Sequence, residues 1–344
     1  MNQLYLKFNL EDSLLIDFNN YLFVTGGNDY KKNVIIDLFK YYENFKRFNP
    51  IETTYYGESP IRIMYNDKQV TPKNHRIICI SDRYDLLKQV SKNKDSLLYP
   101  YLMRWQDDLK VSQILSEIES KVIALEQILA MNELSPLQIS SESFNYTHLF
   151  NLLNIQWMKD EQLIPDYCVS LSDLYQCFLH LLEWHLEYST SPIWLMVDSR
   201  DLPHNTDLKK FITQLKTLSF ATSNLKCIFI NYPIDIINEY DFESLLVCGN
   251  YYHQLPDFDT LIHSLSDYYP GELTYSQPQL VLPLCQVLES VGSINPAAST
   301  LSSKSLILLD IVGKLLGEPV NFETSNDYLT DQERDYLRKN LNKF

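Results

Sequence analysis

The apolar residues of this chain form short continuous runs that are separated by amphipathic segments. Six of these runs predict short strands, and several of them are continuously apolar, as expected for strands of a parallel sheet covered on both faces: LYLKFNL, YLFVTG, RIICIS, IWLMVD, LKCIFIN and SLLVC. Helix-like segments lie between most of them, as expected when helices cover both faces of a parallel sheet. The pattern therefore predicts an α/β fold with three layers.

A long helical segment interrupts this alternation. In residues 107–134 the apolar side chains recur at spacings of three and four, and Asp107 and Asp108 stand at the start, where the helix dipole favours acids. A helix with one long apolar stripe usually packs on a second helix. Residues 170–188, which open with an S-x-x-D capping pattern, are the predicted partner. The two would form a helical leg inserted in an α/β head.

The pattern changes again after residue 256. A Pro-Gly turn is followed by the helix-like stretches LPLCQVLESVG, SKSLILLDIVGKLLG and LTDQERDYLRKNLNKF. These predict a mostly helical C-terminal extension. The predicted division is an α/β head of residues 1–106 and 189–256, a helical leg of residues 107–188, and an extension of residues 257–344.

The stretch VTGGNDYKKN lies between a predicted strand and a predicted helix, which is where a phosphate-binding loop stands. A working loop has the form GxxxxGK[ST], since its backbone N–H groups surround phosphates, its lysine reaches the outer ones and its hydroxyl ligates magnesium. Gly26 keeps the first glycine and Lys32 keeps the lysine. Lys31 replaces the second glycine and Asn33 replaces the hydroxyl.

These replacements predict a relic rather than a functional nucleotide site. A Cβ at position 31 crowds the place where the backbone must bend around phosphate, and asparagine does not supply the usual magnesium ligand. Asp198 ends the strand IWLMVD, at the position of the acid in the second motif of phosphate-loop proteins. An aspartate is also common in the turn that follows a buried strand. The degenerate nucleotide loop thus comprises Gly26, Gly27, Lys32 and Asp198.

Composition narrows the class of protein. Of the 344 residues, 45% are hydrophobic and 21% are charged, as in soluble globular proteins, and no apolar run reaches the length of a membrane span. The start lacks the basic region and cleavage site of a secretory signal, so the expected location is the cytoplasm. The six cysteines show no CxxC spacing and are predicted to be reduced, buried thiols. The small number of glycines, 8, argues against a dinucleotide or flavin enzyme, and the GxSxG and HExxH catalytic motifs are absent.

The order of these features resembles the subtype II-A CRISPR–Cas adaptation proteins of the Csn-two family, in their long form with a C-terminal extension. The resemblance covers about residues 1–255 and rests on LYLKFNLEDSLLIDFNNYLFVTGG, the helix ending in AMNEL, DLYQCFLHLLEWHL before PIWLMVDSRDL, and KKFITQLKTLSFATSNLKCIFINYPIDI. It implies a homotetrameric ring that binds double-stranded DNA, especially its ends, without catalysis. It also implies a role in spacer acquisition beside the integrase proteins and the RNA-guided nuclease.

DNA binding must be reconciled with a formal net charge of −15, which repels phosphates unless basic side chains gather on one surface. The preferred DNA contacts are Lys88, Lys92 and Lys94. They lie near a predicted helix end, and only short polar segments separate them. Lys31 and Lys32 are the second choice, since a helix N-terminus and positive charge attract anions. An ordinary solvated surface is an equal alternative for each lysine.

Two further expectations concern metals and nucleotides. The resemblance implies a calcium site just after the long helix, but the segment NELSPLQISSES offers only Glu133 and Glu142 as carboxylates, whereas calcium takes six to eight oxygens. A calcium site of the family type is therefore not expected here. The alternative function is a phosphate-loop ATPase or kinase that retains nucleotide binding through Lys32 and Asp198.

Overall fold

A computed structural model describes residues 2–8, 12–44, 50–56, 62–130, 143–271, 277–293, 301–318 and 330–341. Contacts within the chain divide it into two compact units. The first comprises Met1–Arg83 and Ser189–Phe344, and the second comprises Tyr84–Tyr188. No helix among the described residues is long and apolar enough to cross a membrane.

The strands follow the apolar runs of the sequence, with additional short strands between them. In chain order they are β1 (Gln3–Lys7), β2 (Ser13–Asp17), β3 (Tyr21–Thr25), β4 (Arg62–Tyr65), β5 (Lys68–Gln69), β6 (Arg76–Ile80), β7 (Trp157–Lys159), β8 (Gln162–Ile164), β9 (Ile193–Asp198), β10 (Leu225–Ile230), β11 (Leu245–Cys248) and β12 (Tyr252–Gln254).

The helices occupy most of the intervening segments and the C-terminal region. They are α1 (Asp29–Asn44), α2 (Pro50–Tyr56), α3 (Arg83–Gln89), α4 (Leu98–Met103), α5 (Leu109–Ala130), α6 (Tyr146–Leu152), α7 (Leu171–Tyr188), α8 (Thr206–Ala221), α9 (Phe258–Tyr268), α10 (Gln277–Ser290), α11 (Ser303–Leu316) and α12 (Asp331–Leu341).

The first unit is built on a six-stranded sheet with the order β12-β11-β3-β10-β9-β6. Its strands pair in parallel, except that β12 runs antiparallel to β11 at the edge. Every residue of β3, β9, β10 and β11 is buried, which explains their largely apolar sequences. The predicted α/β fold is confirmed.

A second sheet, with the order β2-β1-β4-β5, is antiparallel and differs from the expectation. The run LYLKFNL does form a strand, but it pairs with β2 and β4 and not with the parallel strands. Leu4 and Leu6 point to one face, where they join Ile16 and Ile63 in the core. The alternating burial of β1 and β2 is that of strands with one face in the core.

Helices and the second sheet cover both faces of the six-stranded sheet. Val24, Trp194 and Ile228 share a core with the antiparallel sheet and with α1. Cys227 points to the opposite face, because side chains alternate along a strand, and its Sγ approaches the carbonyl oxygen of Leu215 in α8. The predicted three-layer arrangement is therefore present.

The second unit contains α3 from Tyr84 onward, α4 to α7 and the hairpin β7–β8. α7 begins as predicted, since the hydroxyl of Ser170 accepts a hydrogen bond from the N–H of Asp173 and donates one to its carboxylate. Its buried face includes Leu174, Phe178 and Leu182. α7 packs against α4.

The predicted long helix is confirmed as α5, whose first turn is capped by the Asp108 carboxylate. The expectation that residues 170–188 cover its apolar stripe is wrong for the C-terminal half of the helix, because Leu125 and Leu129 are exposed. Cys168 also departs from the prediction of buried thiols, since its side chain is exposed.

Candidate functional site

The glycine turn after β3 is shaped by the packing of the sheet. Gly26 has a φ of +108°, a conformation that residues with a Cβ rarely adopt. A Cβ at this position would lie 2.4 Å from the carbonyl oxygen of Cys248 in β11. Both features require glycine, and neither involves a phosphate.

Asn28 closes this turn as the N-terminal cap of α1. Its carbonyl oxygen accepts a 3.2 Å hydrogen bond from the N–H of Lys32, and its Oδ1 accepts a 3.2 Å bond from the N–H of Lys31. Its Nδ2 donates to the carbonyl oxygen of Gly249 at 2.9 Å. The N–H groups that would surround phosphate in a working loop are therefore used by Asn28. The turn is a capped helix start and not an open phosphate cradle.

The two lysines of the degenerate loop are both engaged within the first unit. Lys32 Nζ lies 2.8 Å from the Asp29 carboxylate and 3.3 Å from Asn231 Oδ1. The hydrogen bond from Lys32 lowers the pKa of Asp29 below its ordinary value. Lys31 Nζ lies 4.2 Å from the centre of the Tyr252 ring, a cation–π contact.

The oxygens that would hold magnesium also have protein partners. Asp198 is buried at the end of β9, where its Oδ1 accepts from Asn231 Nδ2 at 2.7 Å and from the N–H of Arg200 at 3.3 Å. Arg200 Nη2 in turn donates to Asn33 Oδ1 at 2.7 Å. The oxygens of Asp198 and Asn33 are thus hydrogen-bonded to an amide and a guanidinium, respectively.

The C-terminal region packs against Gly27, the second glycine of this turn. The N–H of Gly27 donates to the carbonyl oxygen of Val291 at 2.7 Å. A Cβ on Gly27 would lie 2.6 Å from the backbone nitrogen of Ser293. We call residues 289–293 the closing segment, because they cover the loop on the side from which its N–H groups would meet a ligand.

A pocket of about 220 Å³ remains beside the loop, and Thr25, Lys32, Asn231 and Glu289 are among its lining residues. Desolvation raises the pKa of the Glu289 carboxyl, while Coulombic interaction with nearby Lys32 and His204 opposes this rise. When ionised, Glu289 places a negative charge in the pocket that an incoming phosphate would have to enter.

A second contact joins the C-terminal region to the turn between β11 and β12. The Glu318 side chain is fully buried and accepts hydrogen bonds from Asn250 Nδ2 at 2.7 Å, the Tyr251 N–H at 2.9 Å and His253 Nε2 at 3.0 Å. Burial alone would raise the pKa of Glu318, but these donors lower it below its ordinary value. A Cβ on Gly249 would lie 2.4 Å from Glu318 Oε1, so only glycine fits beside the carboxylate.

The predicted DNA contacts of the second unit have different environments. Lys92 Nζ donates to the carbonyl oxygens of Asn151 and Leu153 at 3.1 and 2.6 Å, and lies 4.7 Å from the centre of the Phe150 ring. This lysine caps the end of α6. Lys88 lies half-buried in the last turn of α3, whereas the Lys94 side chain is exposed.

The weak metal candidates Glu133 and Glu142 lie outside the described residues. Elsewhere in the chain, over the part that the structure describes, no three His, Cys, Asp or Glu side chains are grouped so that they could hold a metal ion.

The sequence pattern identified Gly26, Lys32 and Asp198. It did not identify the residues that contact or cover them in the folded chain. Asn231 follows a buried strand directly, and a polar residue at that position was the available signal. The roles of Glu289 and Val291 had no local signal, because both residues lie far along the chain from the loop that they cover.

These features define an α/β protein in which the glycine turn after β3 is covered by the C-terminal region of the same chain. The fold is similar to that in a crystal structure of Stu0660 of Streptococcus thermophilus, with a TM-score of 0.83, 16% sequence identity, and 98% of this chain and 99% of that chain covered. No protein-family model matches the chain, and no curated protein sequence matches it. The structural similarity shows the fold.

Proposed function

We propose that this protein is a non-enzymatic DNA-binding protein of CRISPR spacer acquisition. In this proposal it assembles as a homotetrameric ring, binds the ends of double-stranded DNA without sequence specificity, and works in the cytoplasm with the integrase proteins and the RNA-guided nuclease. The support is the resemblance of the sequence to the Csn-two family, together with a fold shared over nearly the whole chain with Stu0660 of Streptococcus thermophilus.

The observation that carries the non-enzymatic part is the closure of the degenerate loop. The N–H groups of Gly27, Lys31 and Lys32 all have acceptors within the chain, and the Asp198 carboxylate is held by Asn231. Phosphoryl transfer depends on such N–H groups and on a magnesium-binding acid to stabilise developing charge. A chain that uses them for its own packing has no means to position a nucleotide.

The surface of α5 supports assembly from several copies. Ile114, Leu125, Ile128 and Leu129 are 53%, 56%, 63% and 43% exposed, and they lie on one helix of the second unit. Contiguous exposed apolar side chains mark interaction surfaces in soluble proteins.

Charge limits how DNA would be bound. The net charge of −15 means that attraction to phosphates must come from a local group of basic residues, and that binding must weaken steeply with salt. Lys94 is the most accessible of the predicted contacts in the second unit, since Lys92 is engaged with α6.

The proposal is tested by mobility shifts on three duplexes of equal length: blunt linear, linear with blocked ends, and closed circular. We expect the blunt linear duplex to bind most tightly, with the same affinity for unrelated sequences and a linear fall of log affinity with log salt concentration. Equal affinity for all three forms contradicts end binding, and the absence of binding near physiological salt contradicts the DNA-binding function.

A further inference from the structure

Aromatic side chains gather around a single arginine on one face of the second unit. The ring of Trp184 in α7 lies 5.2 Å from that of Tyr101 in α4, centre to centre, and 5.5 Å from that of Tyr188. The Cζ atom of Arg104 lies 3.9 Å from the centre of the Tyr101 ring and 4.8 Å from that of Trp105. The same atom lies 5.6 Å from the Trp184 ring. We call these five residues the aromatic patch.

The aromatic patch reaches solvent although its rings contact one another. Trp105 and Tyr188 are 43% and 66% exposed, and the Arg104 side chain is exposed as well. Among the residues that the structure describes, none forms a hydrogen bond or an ion pair with the Arg104 guanidinium, so its N–H groups are available to an acceptor. Tryptophan, tyrosine and arginine are the residues that most often dominate binding at protein interfaces. The patch therefore has the composition of an interaction surface.

Acidic side chains accompany the rings. Glu183 and Glu187 are exposed residues of α7, and neither forms an ion pair within the described part of the chain. Glu187 follows Trp184 by three residues, so the two side chains are neighbours on the helix surface. Asp107, which is also exposed, ends the turn that carries Arg104. Residues 84–188 as a whole contain 15 acidic and 7 basic residues, a formal charge of −8.

This combination of rings and carboxylates favours a positively charged partner. Arginine and lysine side chains bind the faces of tryptophan and tyrosine through cation–π attraction, and carboxylates beside the rings add ion pairs. Arg104 shows that these rings already hold a guanidinium of the same chain. A nucleic acid would bring its phosphates against the exposed acids, and a second copy of this chain would bring a net charge of −15.

We propose that the aromatic patch binds an extended basic segment of a partner protein. Arginine or lysine side chains of that segment pack on the exposed faces of Trp105 and Tyr188. The carboxylates of Glu183 and Glu187 pair with the same side chains, and the Arg104 N–H groups donate to backbone carbonyl oxygens of the segment. This binding requires neither a ring nor DNA, so it is independent of the proposed function.

The first test removes the exposed rings without changing the charge of the chain. The probe is a fluorescent decapeptide of alternating arginine and glycine, and fluorescence anisotropy gives its dissociation constant. The double variant Trp105→Ala, Tyr188→Ala should bind the peptide about tenfold more weakly than the parent, because two exposed cation–π contacts are lost. The matched control is Tyr167→Ala, which removes an 81% exposed ring on the N-terminal side of α7 and should bind like the parent.

The second test removes the carboxylates and leaves the rings in place. Glu183→Gln, Glu187→Gln changes only exposed side chains, so this variant remains informative if the loss of Trp105 disturbs folding. Two ion pairs fewer should weaken peptide binding by about fivefold. The control Glu117→Gln, Glu119→Gln removes the same charge from α5 and should change binding little, since salt screens charges that do not contact the peptide. Urea unfolding of each variant shows whether the fold is retained.

Three results would overturn the proposal. One is equal peptide binding by the parent and by both test variants. Another is a preference for a single-stranded thymidine decanucleotide that Trp105→Ala, Tyr188→Ala abolishes, since the patch would then bind nucleic acid. The third is altered sedimentation of that variant without peptide, which would make the patch a contact between copies of the chain. Duplex-end binding by the parent tests the proposed function separately, and its failure would leave the peptide result unchanged.

Discussion

The backbone N–H of Gly27 donates a 2.7 Å hydrogen bond to the carbonyl oxygen of Val291. One residue belongs to the loop where a nucleotide phosphate would bind in an active phosphate-loop protein, and the other belongs to the closing segment at the end of α10. The bond gives the C-terminal region a position that a ligand would otherwise take.

We expect the chain not to bind ATP with micromolar affinity. The loop lacks its second glycine and its hydroxyl, Asn28 uses two of its N–H groups, and the closing segment covers Gly27. Titration of a fluorescent ATP analogue with and without magnesium should give no saturable signal at micromolar protein. Micromolar affinity that Lys32→Ala abolishes would show instead that the loop still works, while a signal unchanged in Lys32→Ala would indicate binding elsewhere.

Gly27→Ala should destabilise the contact between the loop and the closing segment. The new Cβ would lie 2.6 Å from the backbone nitrogen of Ser293, closer than real Cβ contacts allow, so one of the two segments must shift. Overpacking of this kind costs about 1–3 kcal/mol of unfolding free energy.

Urea unfolding measures this loss, and hydrogen exchange shows whether protection falls in the closing segment. Ser293→Gly serves as the partner in a double-mutant cycle, since it removes the Ser293 Cβ that the new methyl group also meets. Additive effects of the two substitutions would mean that the residues are not in contact.

Glu318→Gln should destabilise the fold at neutral pH and do so progressively less in acid. The carboxylate accepts three hydrogen bonds in a buried site, and an amide oxygen cannot replace them all, so the expected loss is about 1–3 kcal/mol. The folded pKa of Glu318 lies below its unfolded value, so the stabilisation is complete above about pH 5 and is lost as pH falls through the folded pKa.

Unfolding free energies of both chains between pH 3 and pH 7 test this linkage. The difference between them should shrink as the pH falls, and a constant difference would contradict it. Glu117→Gln, at an exposed position of α5, is the control and should follow the parent chain.

Lys92→Ala and Lys94→Ala form a matched pair with opposite expectations. Lys92 donates to two carbonyl oxygens at the end of α6, so its removal should cost about 1 kcal/mol of stability. Lys94 is exposed, so its removal should leave stability unchanged and reduce the salt slope of DNA binding by about one unit if it contacts a phosphate. Unchanged DNA binding in Lys94→Ala would remove this residue from the DNA surface.

The sequence was informative where burial on both faces makes a strand largely apolar, as in β9 and β10. It was less informative for β2, whose alternation of buried Leu14 and Ile16 is obscured because Leu15 between them is apolar yet 59% exposed. The separate antiparallel sheet could not be predicted, since the pattern of β1 does not identify its neighbours.

The candidate site shows the same limit at the level of single residues. Gly26, Lys32 and Asp198 were found because a local spacing marks them. Whether residues at such a spacing form a working nucleotide site depends on groups that contact them from other elements. Here these are Asn231 after β10 and the closing segment at the end of α10. These contacts join distant parts of the chain and leave no periodic signature.

The position of β3 in the sheet has a consequence for the synthesis of the chain. This fully buried strand ends at Thr25, but it pairs with β10 on one side and β11 on the other, which begin only at Leu225 and Leu245. At about 5–20 residues per second, a ribosome needs on the order of tens of seconds to reach those partners. During that interval both hydrogen-bonding edges of this apolar strand are unpaired. We therefore expect the nascent chain to depend on chaperones or on rapid burial by α1 to avoid aggregation.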